Sequence, residues 1–508
     1  MAIIVGVIIA FISLFIQIKP RLKVRYFGVD GWRHLLVADY IRKHKRYPKY
    51  IDKFLIEAPS DYPPGLRMFL SLIPKNFLDR FEWLVSPVID FCHIMLLFGF
   101  VYYFTGNIII ASIAQIIYLS APLTIMENSN LTTRSLASFL FTLTFLSFLG
   151  YSISLRWEMF LFSAFILSVL LLSHRMAIQA LFFTIVFFTI YEKNFSYLLI
   201  FILGMLLATL FSGGFYLKIL KGHLAMLEYW RQNIRYRYAH EVRGLSKKDK
   251  ESADAVFNLY QKVKSLPFIA VLAANPSVLF VVIFVMIRIF KGGFDIDYFG
   301  FPQVLIDKFV VWSLTLLIVG LFIRTFGFIE FMGEGERYME YAGFPIAAIG
   351  SLTVYSSLQS QYFIIVLAGF LTFIILGGLL PAFYLQQKVI IQDKERSITE
   401  PLWKIFDYIN NIDGEVRMMC IPQLMSTSVM YFTKAKTLCT DNSPAHITDL
   451  ANILPVIKRP LSEIFKRYKI NYLLINEHYV GFDELNLKSK KTVKREDVFH
   501  LLKVREGE

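Results

Sequence analysis

The chain has 508 residues, of which 56% are hydrophobic, 16% are aromatic and only 18% are charged, and its formal net charge is +14. Soluble domains carry about 25% charged residues, so the composition excludes an ordinary soluble protein and indicates that lipid is the main solvent. A basic excess suits nucleic acid, anionic lipid headgroups or phosphate-bearing substrates, and membrane embedding favours the last two.

Apolar runs that are long enough to cross a bilayer, about 17–25 residues each, recur through the first 381 positions. They predict an all-α polytopic membrane domain with about eleven transmembrane helices. Residues 1–18 lack a basic start and a small-residue cleavage pattern, so we interpret them as a retained span. The predicted spans are 1–18, 86–104, 107–125, 135–150, 157–173, 176–191, 196–213, 267–290, 305–325, 342–358 and 361–381.

The composition changes after about residue 385. The runs "EVRMMCIP" and "INYLLINE" are short and β-rich, and polar helical stretches surround them. This alternation predicts a small soluble α/β domain at the C-terminus. We therefore expect a transmembrane domain at 1–385 and a soluble domain at 386–508.

The three cysteines are Cys92, Cys420 and Cys439, and they form neither a C-x-x-C motif nor a Cys/His metal spacing. Cys420 and Cys439 either pair in an exported tail or are buried thiols in two strands. The sequence predicts no metal site and no bound cofactor.

Counting the crossings places the loops 19–85, 126–134, 214–266 and 326–341 and the C-terminal tail on one face. The loop 19–85 holds 14 Lys/Arg against 7 Asp/Glu. The positive-inside rule would put this face in the cytoplasm, although loops of such length translocate largely regardless of charge. Charge alone leaves the orientation open.

The first loop contains "YFGVDGWRHLLVADYIRKH", residues 26–44, in which Asp30 precedes an amphipathic run. Asp30 either caps a helix or accepts a proton from a group that arrives at the bilayer surface. His34 lies four residues on, on the same helical face. A helix lying on the bilayer would offer both side chains to the interface.

The stretch "EAPSDYPPG", residues 57–65, follows in the same loop. Pro63 and Pro64 hold the chain extended before a turn. The stretch is either a simple turn or a rigid support that holds Glu57, Asp61 and Tyr62 near Asp30 for hydroxyl recognition.

His174 and Arg175 lie between two apolar runs. An Arg at the centre of a span costs about 2.5–3.5 kcal/mol on insertion scales. The pair is either a polar hairpin tip at the interface or a cation pair aimed at an anionic headgroup.

The stretch "FMGEGERYMEYAGFP", residues 331–345, precedes the tenth predicted span. It lacks a third glycine and a preceding strand, which excludes a dinucleotide-binding loop. Arg337 and Tyr338 lie at the start of the span, where a guanidinium can bind phosphate through two donors. An ordinary charged loop is the alternative.

No Walker loop, HExxH motif or nucleophile elbow is present. An enzyme with this sequence would have to use a donor that the membrane already carries.

The run "VDGWRHLLVADYI", followed by "YP" at 47–48 and "DYPPG" at 61–65, resembles the first external loop of GT-C glycosyltransferases. "SHR" at 173–175 and "GERYMEYAGFP" at 335–345 are similar to later loop positions of that superfamily, and the resemblance covers about residues 1–381. These enzymes are polytopic and use polyprenyl-phosphate-linked sugars.

The resemblance implies that Asp30 is the catalytic acid and that Arg337 contacts the lipid phosphate. The family often has a paired acid two residues after the first, where this chain has Trp32. A two-acid metal site is therefore not supported, although a divalent cation stays possible. The family also places its first loop outside the cytoplasm, and we follow it in expecting the active face and the tail to be extracytoplasmic.

The expected activity is an inverting transfer of a hexosyl or pentosyl group from a polyprenyl-phosphate donor to a lipid, glycan or protein. Expected substrate-binding residues are His34, Glu57, Asp61, Tyr62, His174, Arg175, Arg337 and Tyr338. The expected partners are the donor and membrane lipids, without nucleic acid. A lipid-linked glycan flippase and an envelope polysaccharide polymerase are the alternatives.

Overall fold

A computed structural model describes residues 2–237, 239–244, 266–290, 298–439, 453–485 and 492–504. Residues 245–265 of the predicted loop 214–266, and parts of the predicted soluble domain, lie outside the described residues.

Helices account for most of the described chain. In order they are α1 (Ala2–Lys23), α2 (Asp30–His44), α3 (Gly65–Leu72), α4 (Lys75–Phe81), α5 (Val85–Thr105), α6 (Ile108–Leu119), α7 (Pro122–Asn128), α8 (Thr133–Ser154), α9 (Trp157–Leu171), α10 (Arg175–Glu192), α11 (Ser196–Phe211), α12 (Phe215–Asn233), α13 (Pro267–Ala274), α14 (Val278–Phe290), α15 (Gln303–Thr325), α16 (Gly343–Leu358), α17 (Phe363–Thr372), α18 (Leu380–Gln386), α19 (Glu400–Asn410), α20 (Ser426–Phe432) and α21 (Leu461–Tyr468).

The chain divides into two compact units. The helical unit consists of the described residues of Met1–Lys23, Trp83–Tyr216 and Asp254–Ile391. The mixed unit consists of those of Val24–Glu82, Leu217–Ala253 and Gln392–Glu508.

Within the described residues, six helical runs are long and apolar enough to cross a membrane, and the number rises to nine if each sharply bent helix pair is one span. The protein is therefore a multi-pass membrane protein. Each of the eleven predicted spans coincides with a helix or a bent pair, but α9 and α16 have only 15 and 16 residues. The exact count of eleven is not confirmed.

The three bent pairs have local causes. The chain bends by 70° between α6 and α7, where Pro122 begins the second helix. It bends by 104° between α13 and α14, across a break that contains Pro276. Proline lacks the N–H that would continue the helical ladder. α11 and α12 meet at 116°, where Gly213 and Gly214 both have positive φ, a conformation that glycine adopts without steric cost.

One close backbone approach fixes the segment that precedes α16. This segment, Gly335–Ala342, forms a 3₁₀ helix, and its first residue packs against Gly320 of α15. A Cβ atom added to Gly320 would lie 2.6 Å from the carbonyl oxygen of Gly335. Two glycines are thus required where the segment meets α15.

The mixed unit contains a five-stranded sheet with the strands β1 (Arg417–Ile421), β2 (Lys436–Thr437), β3 (Tyr472–Asn476), β4 (Thr492–Glu496) and β5 (Phe499–Lys503). The strand order is β2-β1-β3-β5-β4. β1 is parallel to β2 and β3, whereas β5 is antiparallel to β3 and β4. β1 and β3 are the two β-rich runs noted in the sequence, and helices accompany them, as expected for an α/β domain.

The first loop belongs to the same unit as this sheet. The Leu55 N–H donates to the Thr437 carbonyl at 3.0 Å, and the Thr437 N–H donates to the Lys53 carbonyl at 2.9 Å. Leu55 and Ile56 are buried in one hydrophobic cluster with core residues of β1 and β3. Whether 386–508 folds without the first loop stays a prediction.

Cys420 and Cys439 are buried thiols that are not joined in a disulfide, and Cys420 lies in β1. Burial raises the pKa of the Cys420 thiol to about 12. The structure therefore has the buried thiols of the second alternative, although Cys439 lies two residues after β2 and not in a strand.

The close contact between α15 and the 335–342 segment can be tested by mutation. We expect Gly320→Ala to destabilise the protein by about 1–3 kcal/mol, because the new methyl group forces the two backbones apart. Gly369→Ala in α17 is the matched control, because a Cβ atom there meets nothing within 4 Å. Thermal unfolding of both variants in detergent measures the difference, and equal midpoints would show that the contact does not constrain the fold.

Candidate active site

Asp30 is the first residue of α2, and its carboxylate is exposed. Val29 is the N-cap residue, and no side-chain hydrogen bond caps the helix. The capping interpretation of Asp30 is therefore wrong. Its Oδ1 accepts a hydrogen bond from Arg33 Nη2 at 2.9 Å, and the Asp30 side chain is 68% exposed. An accessible carboxylate is thus held in place by a buried guanidinium.

Arg33 also connects Asp30 to the 57–65 stretch. Its guanidinium lies 5.4 Å from the ring centre of Tyr62. Tyr62 also contacts the guanidinium of Arg67 at 4.6 Å, and its ring lies 5.3 Å from that of His34. Tyr62 therefore contacts the arginine that holds Asp30, and its role in hydroxyl recognition stays a prediction.

His34 lies inside the mixed unit with only 1% exposure. The Nε of Arg67 donates to its Nδ1 at 3.3 Å. The expectation that α2 offers both Asp30 and His34 at one surface is wrong for His34, because α3 and the 57–65 stretch cover that side of the helix. A substrate-binding role for His34 stays a prediction.

The two acids of the 57–65 stretch differ. Glu57 is exposed, whereas Asp61 is buried. Next to Asp61, the hydroxyl of Ser60 accepts from the fully buried Arg67 at 3.4 Å. A role of either acid in substrate binding stays a prediction.

In the helical unit, Arg337 lies among carboxylates. Its Nη1 donates to Glu127 Oε1 at 2.8 Å, its Nε donates to Glu334, and Glu340 lies 3.8 Å away. Burial by itself would lower the pKa of Arg337, but these carboxylates raise it well above its usual value. The guanidinium is therefore permanently charged and held on two sides.

Arg134 at the start of α8 contacts the same carboxylates. Its Nη1 donates to Glu340 Oε1 at 2.9 Å and to Oε2 at 3.2 Å, and its Nε lies 3.4 Å from Glu127. Burial raises the pKa of Glu340 to about 7, and Arg134 opposes that rise. We call Glu127, Arg134, Glu334, Arg337 and Glu340 the arginine–glutamate cluster.

The other predicted residues of the helical unit adjoin this cluster in the fold. His174 precedes α10, and its Nδ1 lies 3.1 Å from the Tyr341 hydroxyl. The buried Tyr338 donates to Gln179 Oε1 of α10 at 3.1 Å. Arg175 begins α10. The structure thus brings the two predicted motifs, 173–175 and 335–345, together at the start of α10.

Sequence reasoning missed Glu127, Arg134, Glu334 and Glu340 in this cluster, and Arg67 in the mixed unit. Glu127 and Arg134 flank the loop 126–134, which the crossing count had already placed on the same face as Arg337. A charged residue at each end of a short loop between two apolar runs is a pattern that could have identified Glu127 and Arg134 as candidate site residues. Nothing local in the sequence marks Arg67.

No group of three or more His, Cys, Asp or Glu side chains in the described part of the chain is arranged to hold a metal ion. Asp30 contacts a cation, and Trp32 is buried against Phe432 with 4.9 Å between the ring centres. The residues around Asp30 therefore do not fit a two-acid metal site. Metal independence stays a prediction.

No protein-family model matches the chain, and no curated protein sequence matches it. Solved structures do match. The Archaeoglobus fulgidus oligosaccharyltransferase in complex with Zn and sulfate has a TM-score of 0.55 at 11% identity, with 92% of this chain and 68% of that one covered. The same organism's AglB in complex with an inhibitory peptide and a dolichol-phosphate has a TM-score of 0.53 at 11% identity, with 93% and 69% covered.

ArnT from Cupriavidus metallidurans bound to undecaprenyl phosphate has a TM-score of 0.56 at 12% identity, with 98% of this chain and 97% of that chain covered. Similarity at such low identity establishes the fold. The chain has the fold of the GT-C membrane glycosyltransferases, as its sequence motifs predicted.

Proposed function

We propose that the protein is an inverting membrane glycosyltransferase that moves a sugar from a polyprenyl-phosphate donor to a lipid, glycan or protein on the extracytoplasmic face. The observation that carries the proposal is the exposed Asp30 carboxylate, held by Arg33 at the start of α2, in a chain with the GT-C fold. Two proteins with this fold were solved with a polyprenyl-type phosphate bound.

Asp30 acts as the general base. The oxygen of the acceptor hydroxyl bonds to the anomeric carbon, the bond between that carbon and the phosphate oxygen breaks, and the hydroxyl proton passes to the Asp30 carboxylate. A positioned base typically contributes 10²–10⁴-fold to a rate. Arg33 fixes the carboxylate from a buried position, which limits the geometries that Asp30 samples.

Arg337 binds the phosphate of the donor and stabilises the charge that develops on it. A guanidinium presents parallel donors to a phosphate, and stabilisation of the leaving group is commonly the largest single contribution to catalysis. Arg134 of the same cluster supports this role. Its largely buried guanidinium contacts Glu127, one of the carboxylates that position Arg337.

The proposal is tested by incubating the purified protein with a labelled polyprenyl-phosphate sugar and a crude acceptor extract. A glycosyltransferase releases free polyprenyl phosphate as it labels the acceptor. A flippase would leave the donor intact, and intact donor across a range of sugars would contradict the proposal.

We expect Asp30→Asn to lower the transfer rate at least 10²-fold with normal expression and thermal stability, because an amide cannot accept the hydroxyl proton. Asp39→Asn is the matched control, since Asp39 lies on the same helix and pairs with Lys75 at 2.9 Å. A fully active Asp30→Asn protein would contradict the assignment and direct attention to Asp61, Glu57 and His34.

We expect Arg337→Lys to weaken donor binding moderately and Arg337→Ala to weaken it more, because lysine keeps the charge but loses the planar fork. Binding of labelled donor to the purified variants measures the effect. Donor affinity like that of the wild type in both variants would return Arg337 to a purely structural role.

Single cysteines in a background without Cys92, Cys420 and Cys439 test the orientation. We expect an impermeant thiol reagent to label Glu57→Cys in intact cells and to leave Glu158→Cys unlabelled, because these exposed positions lie on opposite predicted faces. The reverse pattern would invert the topology and contradict the extracytoplasmic active face.

A further inference from the structure

The arginine–glutamate cluster surrounds each guanidinium with carboxylates. Arg337 contacts Glu127 and Glu334, and Arg134 contacts Glu340 and Glu127. The five side chains are only 5–22% exposed. Formally the cluster has three negative charges for two positive ones.

A phosphate that binds Arg337 must therefore share the guanidinium with carboxylates that already accept from two of its donors. The carboxylate of Glu334 lies at the Nε edge and that of Glu127 at Nη1. An incoming phosphate oxygen either displaces one of them or binds at other N–H donors of the same guanidinium, and in both cases at least one carboxylate stays within several ångströms. The repulsion is weakly screened, because these side chains are largely buried.

The donor and the spent carrier of the proposed reaction differ in charge. A sugar linked to polyprenyl phosphate is a phosphodiester with one negative charge. The released polyprenyl phosphate is a monoester, whose second ionisation lies near pH 6, so it carries about two negative charges at pH 8. Each nearby carboxylate repels the monoester about twice as strongly as the diester.

We propose that Glu127 and Glu334 make this phosphate site selective for a monoanionic phosphodiester over a dianionic phosphate monoester. This inference rests on the proposed function. It adds a property of the site that promotes dissociation of the polyprenyl phosphate after the sugar has been transferred. One extra charge about 6 Å from a carboxylate changes affinity between about 3-fold and about 100-fold for effective dielectric constants of about 80 to 20. The carboxylates thereby weaken binding of the released monoester more than they weaken binding of the donor, which favours product release.

The test uses two lipids that differ only in charge, polyprenyl phosphate and its methyl phosphodiester, so the natural sugar need not be known. Their dissociation constants for the full-length protein in detergent are measured at pH 8. We expect the wild-type protein to bind the methyl diester at least about 3-fold more tightly. Equal or tighter binding of the monoester overturns the inference without any variant.

Glu334→Gln and Glu127→Gln then test the two carboxylates. We expect each variant to bind the monoester more tightly and to reduce the preference for the diester at least about 3-fold. Glu336→Gln is the matched control, because Glu336 lies on the same segment but its carboxylate faces Arg324 at 3.9 Å. An unchanged preference in both Glu127 and Glu334 variants overturns the inference, as does an equal change in the control.

Failure of the proposed function has a different signature. If neither lipid binds the wild-type protein, or if Arg337→Ala leaves both affinities unchanged, then Arg337 is not a phosphate ligand and the proposed function loses its donor site. If both lipids bind through Arg337 but without preference, the donor site survives and only the charge selectivity is lost.

Discussion

The ion pairs of Glu127, Arg134, Arg337 and Glu340 are the constraint on which the candidate site of the helical unit depends. Removing a charge from water costs several kcal/mol per ion, and pairing repays that cost only when the geometry is good. Here the pairs connect α7, α8 and the 335–342 segment. The same segment orients Tyr338 and Tyr341 towards Gln179 and His174. A buried ion pair is weak evidence for stability, so four such charges in one place favour a role in binding.

The mixed unit combines a buried cation with an exposed acid. Arg67 is fully buried among His34, Tyr47, Ser60 and Tyr62, and this arrangement fixes the 57–65 stretch against α2. Asp30 lies at the start of the same helix with most of its carboxylate in solvent. A general base needs both access and a fixed direction. The packing of the buried side of α2 fixes the direction of the Asp30 carboxylate. The exposed position of Asp30 at the start of the helix leaves that carboxylate accessible.

The sequence was sufficient for the apolar helices and for the strands β1 and β3, because each depends on local composition and period. It was insufficient where distant segments meet. No pattern in residues 53–58 predicts their backbone hydrogen bonds with Thr437. Likewise, no pattern near Arg134 predicts its contact with Glu340, which lies 206 residues away. The site followed the same rule. Short motifs contain Asp30, Tyr62 and Arg337, and part of their surroundings is local, since Arg33 lies three residues from Asp30 and Glu334 three residues from Arg337. Glu127, however, lies 210 residues from Arg337.

The proposed reaction moves one negative charge from a carboxylate to a phosphate. When Asp30 accepts the acceptor's proton, its charge is neutralised, and the leaving phosphate gains the charge that Asp30 loses. Arginines that bound the resulting dianion very tightly would speed bond breaking but would retain the carrier. Carboxylates in the cluster oppose that retention. Burial already raises the pKa of Glu340 to about 7, and a second negative charge nearby would raise it further. Burial opposes ionisation of Glu127 as well, but the adjacent Arg337 and Arg134 lower its pKa below the usual value, so Glu127 stays charged and continues to repel the dianion.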